Sequence, residues 1–345
     1  MDIQLLKELV STPGVSGREE RIRSVVEKAL SPLFRSTRVD RLGNLVGVRS
    51  GAAPKVMVAA HMDTIGFLVR HIDDSGFLRL SPVGGFDART LFTQRVLVCG
   101  REDCIGLLNA AEKPLHLQTK DEPKGAPKID DLFVDLMMPV DEVKAKVRIG
   151  DPVSLVREPV QTAGAFTAPY LDDRLGVFVM LEALRQAENT SAEIHAVISV
   201  QEEVGVRGAV TSAYEIEPHV GIAVDVTIAG DLPGSDKSQQ VSRAGDGVAL
   251  GLMDGGSISD PRLVEWFRDI AAQQGIPLQE EILPRGGTDA QGIQLSRSGV
   301  PVITVSIPVR YIHTTNEMAY LTDIDASARL LARFLESAHE LDLSW

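Results

Sequence analysis

The spacing of hydrophobic residues changes period several times along this chain. Asp2–Val10 carries its apolar residues on one helical face, and Ser16 followed by Glu19 reads as a capping box that opens a second helix. Behind that box Ile22, Val25, Val26, Ala29 and Leu30 recur at helical spacing, which predicts an amphipathic helix. Lys55–Ala60 (KVMVAA) is nearly continuous apolar sequence, the mark of a strand buried on both faces; AVISV (Ala196–Val200) and VGIAV (Val220–Val224) share it. Helical patterns lie at Leu175–Gln186, Pro261–Gln274 and Asp325–Ala338. Strands alternating with helices predict an α/β fold, with a mixed, largely parallel sheet flanked by helices.

From about Gly66 to Pro159 that rhythm breaks into short alternating segments such as GFLVRHI, GFLRLSPV, TQRVLVCG and LFVDL, punctuated by Gly, Pro and Asp. The expectation is a small β-rich domain (66–159) inserted into an α/β domain made of 1–65 and 160–345. Within it Glu112–Asp131, with scattered Lys and Pro, reads as an exposed loop. Internal repeats and low-complexity segments are absent.

Composition narrows the function. The 345 residues, 44% hydrophobic and 24% charged, are those of a globular protein of roughly two domains, which excludes wholesale disorder. No apolar run approaches the roughly 18 residues of a membrane span, and the first residues lack the layout of a signal peptide. With 35 basic against 48 acidic residues the net charge of -13 repels polyphosphate, so no nucleic acid is expected as a partner. Cys99 and Cys104 form no CxxC pattern, which fits a cytoplasmic protein.

The informative feature is where ionisable residues stand relative to the buried strands. KVMVAA runs into His61-Met62-Asp63, AVISV into Gln201-Glu202-Glu203, and VGIAV into Asp225. In open α/β sheets ligands bind at the carboxyl ends of the strands, so these groups are expected to converge. Asp172-Asp173 before a helix, and His313 after the apolar run VITVSI, add to the set. Two histidines, several carboxylates and no cysteine suit Zn²⁺, Co²⁺ or Mn²⁺. They suffice for two metals about 3.5–4 Å apart sharing one carboxylate. His61, Asp225, Glu203 and His313 would be terminal ligands, Asp172 or Asp173 the bridge, Glu202 the base, and Asp63 the group that orients His61. Singly, each acid reads as a helix cap or loop acid. Five at strand ends together do not. His71, His116, His195 and His219 lack such company, and HExxH, GxSxG and GxxxxGK[ST] motifs are absent.

HMDTIGFLV, LDDRLGVFV, VQEEVGVRGA, AVDVT, GGTDA and IPVRYIHTTNE occur in the same order as in the glutamyl-aminopeptidase, or tetrahedral aminopeptidase, family, which this chain resembles over essentially its whole length. Some members of that family carry an older cellulase or endoglucanase label. The resemblance implies a two-metal aminopeptidase acting on peptide substrates, with two divalent ions per subunit, zinc or cobalt foremost and manganese a further option. It implies His61 and Asp225 on one metal, Glu203 and His313 on the other, Asp172 as the bridge, Glu202 as general base and Asp63 orienting His61. It also implies a phosphorylase/hydrolase-like α/β domain interrupted by a PDZ-like β-domain, and a homo-oligomer built from dimers up to a hollow dodecamer.

The chain departs from the family pattern at Thr64, Ala168–Leu171 and Met253–Gly256, all near the expected site. Three other functions compete: a deacylase or carboxypeptidase-type hydrolase on the same metals, a metal-independent glycoside hydrolase using paired carboxylates, and a non-catalytic peptide-binding scaffold.

Overall fold

The computed structural model describes residues 1–110 and 128–343. Helix α1 (Ile3–Ser11) starts where Asp2 accepts a hydrogen bond from the Leu5 amide, and buries Leu6, Leu9 and Val10. Helix α2 (Glu20–Leu30) buries Ile22, Val26 and Leu30, the face its spacing predicts. The capping box is not formed. Glu19 is the N-cap and makes no cap bond with its side chain; the Ser16 hydroxyl donates instead to the Asp63 carboxylate at 2.6 Å. The hydroxyl is oriented by a buried, ionised acceptor at the sheet edge instead of by the start of the helix.

Three strands follow, β1 (Thr37–Val39), β2 (Leu45–Arg49) and β3 (Ala52–His61), before the chain leaves the sheet. It then forms β4 (Gly66–Ile72), β5 (Leu78–Val83), β6 (Gln94–Cys99), β7 (Asp103–Ala110), β8 (Leu132–Asp135), helix α3 (Val140–Lys146) and β9 (Pro152–Val156). These six strands close into an antiparallel barrel in the order β4-β5-β8-β7-β6-β9, around Phe67, Val96, Leu108, Val134 and Val153. Closure leaves a small sheet without free edges. Of the exposed loop expected over Glu112–Asp131, the part up to residue 127 lies outside the described residues, and Ile129–Asp131 form a single 3-10 turn.

The chain returns through β10 (Val160–Gln161) and β11 (Ala165–Ala168) to α4 (Leu171–Gln186), β12 (Ala192–Ser199), α5 (Arg207–Ile216) and β13 (Val220–Ile228). After these come β14 (Val248–Met253), α6 (Pro261–Gln274), β15 (Leu278–Ile282), α7 (Asp289–Gln294), β16 (Val302–Val309), β17 (Glu317–Tyr320) and α8 (Leu321–Ser337). The main sheet is mixed, in the order β1-β2-β12-β3-β13-β16-β14-β15, with a parallel centre of β12, β3, β13 and β16. Strands β10, β11 and β17 form a separate small sheet.

Both faces of the centre are covered, which is why its strands carry continuous apolar runs such as Val56–Ala60 and Ala196–Ile198. Along β3, Val56, Val58 and Ala60 join the core that includes α4 and α8, while Met57 and Ala59 join Ala209, Ala213 and Ile293 on the opposite face. Helix α6 has the expected limits; α4 and α8 begin earlier than their periodicity predicts, and the short α5 and α7 escape a periodicity reading. Helix α5 packs hard against the end of β12. A Cβ at Gly208 would stand 2.3 Å from Asn44 Oδ1 and 2.5 Å from the Val200 carbonyl oxygen. Among the described residues no helix is long and apolar enough to cross a membrane.

Candidate metal centre and active site

Four parallel strands deliver the polar residues to one edge. Strand β3 ends at His61, opposite Ser199 at the end of β12, from which the chain continues to Glu202 and Glu203. Asp225 lies toward the end of β13, paired with Ser306 of β16, beyond which stands His313. Because β3 sits between β12 and β13, the connections leave it on both sides, and their divergence opens a crevice at the strand ends. Asp172 and Asp173 enter from the first turn of α4, where both depart from helical φ/ψ and are joined by a cis peptide.

Asp172 stands between the two histidines. Its Oδ1 lies 3.2 Å from His61 Nε2 and its Oδ2 3.2 Å from His313 Nε2. Glu203 Oε2 is 3.5 Å from His313 Nε2, while Glu202 Oε2 and Asp225 Oδ1 are 3.9 and 4.0 Å from His61 Nε2. All six line one cleft of about 480 Å³. Asp173, the other acid of the pair, turns away from His313 and accepts from the His61 amide at 3.1 Å and the Gly176 amide at 2.9 Å. Two overlapping groups place their ligand atoms within 4.8 Å of one another: His61, Asp172 and Glu203, and His61, Asp173 and Asp225.

Asp63 lies beneath the cleft, fully buried. Its carboxylate accepts from the amides of Glu202 (3.0 Å) and Glu203 (3.2 Å) and from Ser16, so it fixes the backbone that presents both glutamates. Its link to the imidazole runs mainly through its own carbonyl, 3.1 Å from His61 Nδ1, with the carboxylate at 3.6 Å. A carbonyl only accepts, so Nδ1 carries a proton, and Nε2 is the nitrogen that faces Asp172.

The electrostatics follow from crowding acids in a dry place. Burial pushes Glu202 and Asp225 well above the usual carboxylate range and Glu203 up to about 8. Burial acts on Asp172 in the same sense, but His313 and His61 outweigh it and hold that carboxyl well below its ordinary value. Against burial, Asp172 lifts His313 to about 10, and Asp172 and Asp63 raise His61. The group therefore calls for positive charge, as protons or as cations.

Three participants have no role assigned from the sequence. Glu317, nearly inaccessible, accepts from the His313 amide at 2.7 Å with Oε1 and from the Asp172 amide at 3.0 Å with Oε2. Its only signal is an acid shortly after the histidine in IHTTNE. Asp289, the buried first residue of α7, accepts from the Ser199 hydroxyl at the end of β12. Arg174, third in the run Asp172-Asp173-Arg174, is wholly buried and donates to the carbonyls of Leu9 (2.8 Å) and Thr12 (3.2 Å), in the field of Asp63, Glu19 and Asp173. The remaining five histidines stand apart: His195 meets Glu193, His219 accepts from the Lys55 amide, His339 meets Glu340, His71 does not line the cleft, and His116 lies outside the described residues.

A family model described as M42 glutamyl aminopeptidase matches residues 43–330. The chain belongs to this family. Members of the M42 family are the proteins its motifs resemble, and like them it is a hydrolase acting on peptide bonds. It is 37% identical over 350 aligned positions to the lysyl aminopeptidase of Pyrococcus furiosus, a match that spans 100% of this chain and 99% of that protein. Among solved structures it is similar to an aminopeptidase of the archaeon Desulfurococcus kamchatkensis, with 40% identity, a TM-score of 0.91 and coverage of 97% of this chain and 94% of that one. The TET1 peptidase of Pyrococcus horikoshii, which can assemble into a tetrahedron or a large octahedral shell, is 28% identical with a TM-score of 0.86, covering 96% of this chain and 98% of that one.

Proposed function

We propose that this M42 hydrolase is a two-metal aminopeptidase that removes N-terminal residues from peptides. The observation that carries the reading is the Asp172 carboxylate, with one oxygen 3.2 Å from each of two imidazole nitrogens. With Nδ1 tied to a carbonyl, His61 Nε2 faces a carboxylate oxygen, and an imidazole nitrogen and a carboxylate sit stably so close only with a cation or a proton between them. Imidazole and carboxylate donors without a thiolate fit zinc or cobalt, with manganese a further option. His61 and Asp225 would hold one ion, Glu203 and His313 the other, and Asp172 both.

Such ions supply Lewis acidity, polarising the scissile carbonyl and acidifying a water. Glu202, whose amide is pinned by Asp63, takes the proton from the attacking water and delivers it to the leaving amine. The carboxylates around the cleft attract the protonated N-terminus of a peptide, which favours trimming of ends over internal cuts. Residues 1–65 and 160–345 form the catalytic unit in this reading, and the barrel is a PDZ-like module used between copies in a dimer-based homo-oligomer.

Glu202→Gln tests the proposal. It should keep about two metals per chain by elemental analysis while kcat on aminoacyl p-nitroanilides falls about 10²–10⁴-fold. Retention of kcat within about tenfold, metals still bound, would falsify the base assignment. N-acetylation of a peptide substrate should abolish its cleavage, and undiminished cleavage would point to a deacylase or endopeptidase instead.

A further inference from the structure

Behind the wall of the cleft lies a second, much smaller cavity of about 10 Å³, room for a single atom-sized occupant. It shares Val226, Thr227 and Leu283 with the cleft and is otherwise lined from β14, β15, β16 and the start of α7. Its polar lining consists of oxygens. Glu281, 5% exposed, accepts from the Ser306 hydroxyl at 2.6 Å with Oε1; its Oε2 is near the buried Thr227 hydroxyl, but neither atom makes a hydrogen bond of good geometry. Asp254 is already saturated: it accepts from the amides of Gly256 and Ser257 and from the hydroxyls of Ser257 and Thr288. The Thr288 and Thr304 hydroxyls lie 3.2 Å apart.

No Lys, Arg or His lines this cavity among the described residues. The charge that Glu281 feels most is the like charge of Asp254, and burial pushes its carboxyl up to about 7. A buried carboxylate oxygen and a buried hydroxyl thus face an enclosed space without a counter-charge, an arrangement that costs free energy if left alone.

We propose that this cavity is a binding site for a monovalent metal cation, sodium or potassium, held by Glu281 Oε2 and the hydroxyl oxygens of Thr227, Thr288 and Thr304. Oxygen donors without imidazole or thiolate select a hard cation over zinc or cobalt. One unpaired carboxylate balances a single positive charge, whereas calcium takes six to eight oxygens, commonly from several carboxylates. Hydroxyl protons rotate away from a cation at little cost. The ion would join β13, β15, β16 and the first turn of α7 directly behind Asp225. This inference is independent of the two-metal reading.

The test is the apparent melting temperature of the metal-loaded protein in sodium, potassium and choline chloride at equal ionic strength, for wild type and Glu281→Gln. Sodium or potassium should raise the wild-type value about 3 °C above choline, the more effective ion identifying the occupant, and Glu281→Gln should erase the difference. Equal melting in all three salts overturns the proposal and leaves a water as the occupant. A cation-specific shift that survives in Glu281→Gln overturns it equally. If that variant does not fold, Thr227→Val takes its place under the same criterion: loss of the shift is expected, and its persistence refutes the site.

Discussion

Replacing Glu317 by glutamine asks how the cleft keeps its shape. Both carboxylate oxygens are committed, one to the His313 amide at 2.7 Å and the other to the Asp172 amide at 3.0 Å. Glutamine keeps one acceptor and turns an NH₂ donor toward the second amide. The loss is one charge-assisted hydrogen bond, about 1.5–3 kcal/mol, at a buried position where water does not replace it. At about 1.4 kcal/mol per factor of ten, anything that needs Asp172 and His313 held together should weaken about 10- to 150-fold. That range overlaps the roughly 10- to 100-fold effects typical of groups that support metal ligands. The assay is calorimetric titration of metal-stripped Glu317→Gln with zinc, with kcat/KM on an aminoacyl p-nitroanilide and a thermal melt alongside. We expect an intact fold, an unchanged number of sites, weaker zinc binding and a parallel fall in kcat/KM. Zinc affinity within about threefold of wild type would refute the reasoning, because the two ligands would then hold their places without Glu317.

Two further outcomes concern stability. Glu19 is lifted from 4.5 to about 7, chiefly by burial, so the folded state keeps a proton that the unfolded chain has already released. Its stabilisation is complete below about pH 4.5 and is lost as pH rises through 7, a change of about 3 kcal/mol. Glu19→Gln retains an acceptor for the Gly17 amide and removes the titration, so urea unfolding should show a smaller fall in stability between about pH 5 and pH 8; an unaltered pH dependence contradicts the assignment. Arg174→Met removes both hydrogen bonds to the Leu9 and Thr12 carbonyls and a buried arginine in the field of Asp63 and Asp173, which should cost about 3–5 kcal/mol. A denaturation midpoint equal to that of wild type would show that the guanidinium is dispensable.

The strand ends are legible in the sequence for a simple reason. A run buried on both faces of a sheet must be apolar, so the first ionisable residues that follow the run mark the edge of the sheet, as with His61, Glu202 and Asp225. The supports beneath them are not legible, because each depends on a partner far away along the chain. Glu317 and Asp172 are 145 residues apart, and Ser16 and Asp63 are 47 apart. Ser16 and Glu19 satisfy a local helix-start pattern, and the long-range acceptor overrides it. Alternation of apolar and polar residues reveals the strands of the β-rich segment, whereas closure of the barrel rests on pairings such as β4 with β9 that no local period encodes. Between Asp172 and Asp173 the sequence alone left the bridging position open, and the first turn of α4 separates them by aiming one at both histidines and the other at backbone amides.

The order in which the site's pieces occur along the chain has a consequence during synthesis. His61 emerges first, the barrel segment follows, then Asp172, then Glu202 and Glu203, then Asp225, and last His313 and Glu317, which accepts from its amide. A ribosome-bound chain that has not yet reached residue 313 therefore has neither the second imidazole nor the carboxylate that steadies it. In the two-metal reading such a chain would carry His61, Asp172, Glu202, Glu203 and Asp225 and still lack a complete site, so hydrolysis would wait for the segment that carries His313.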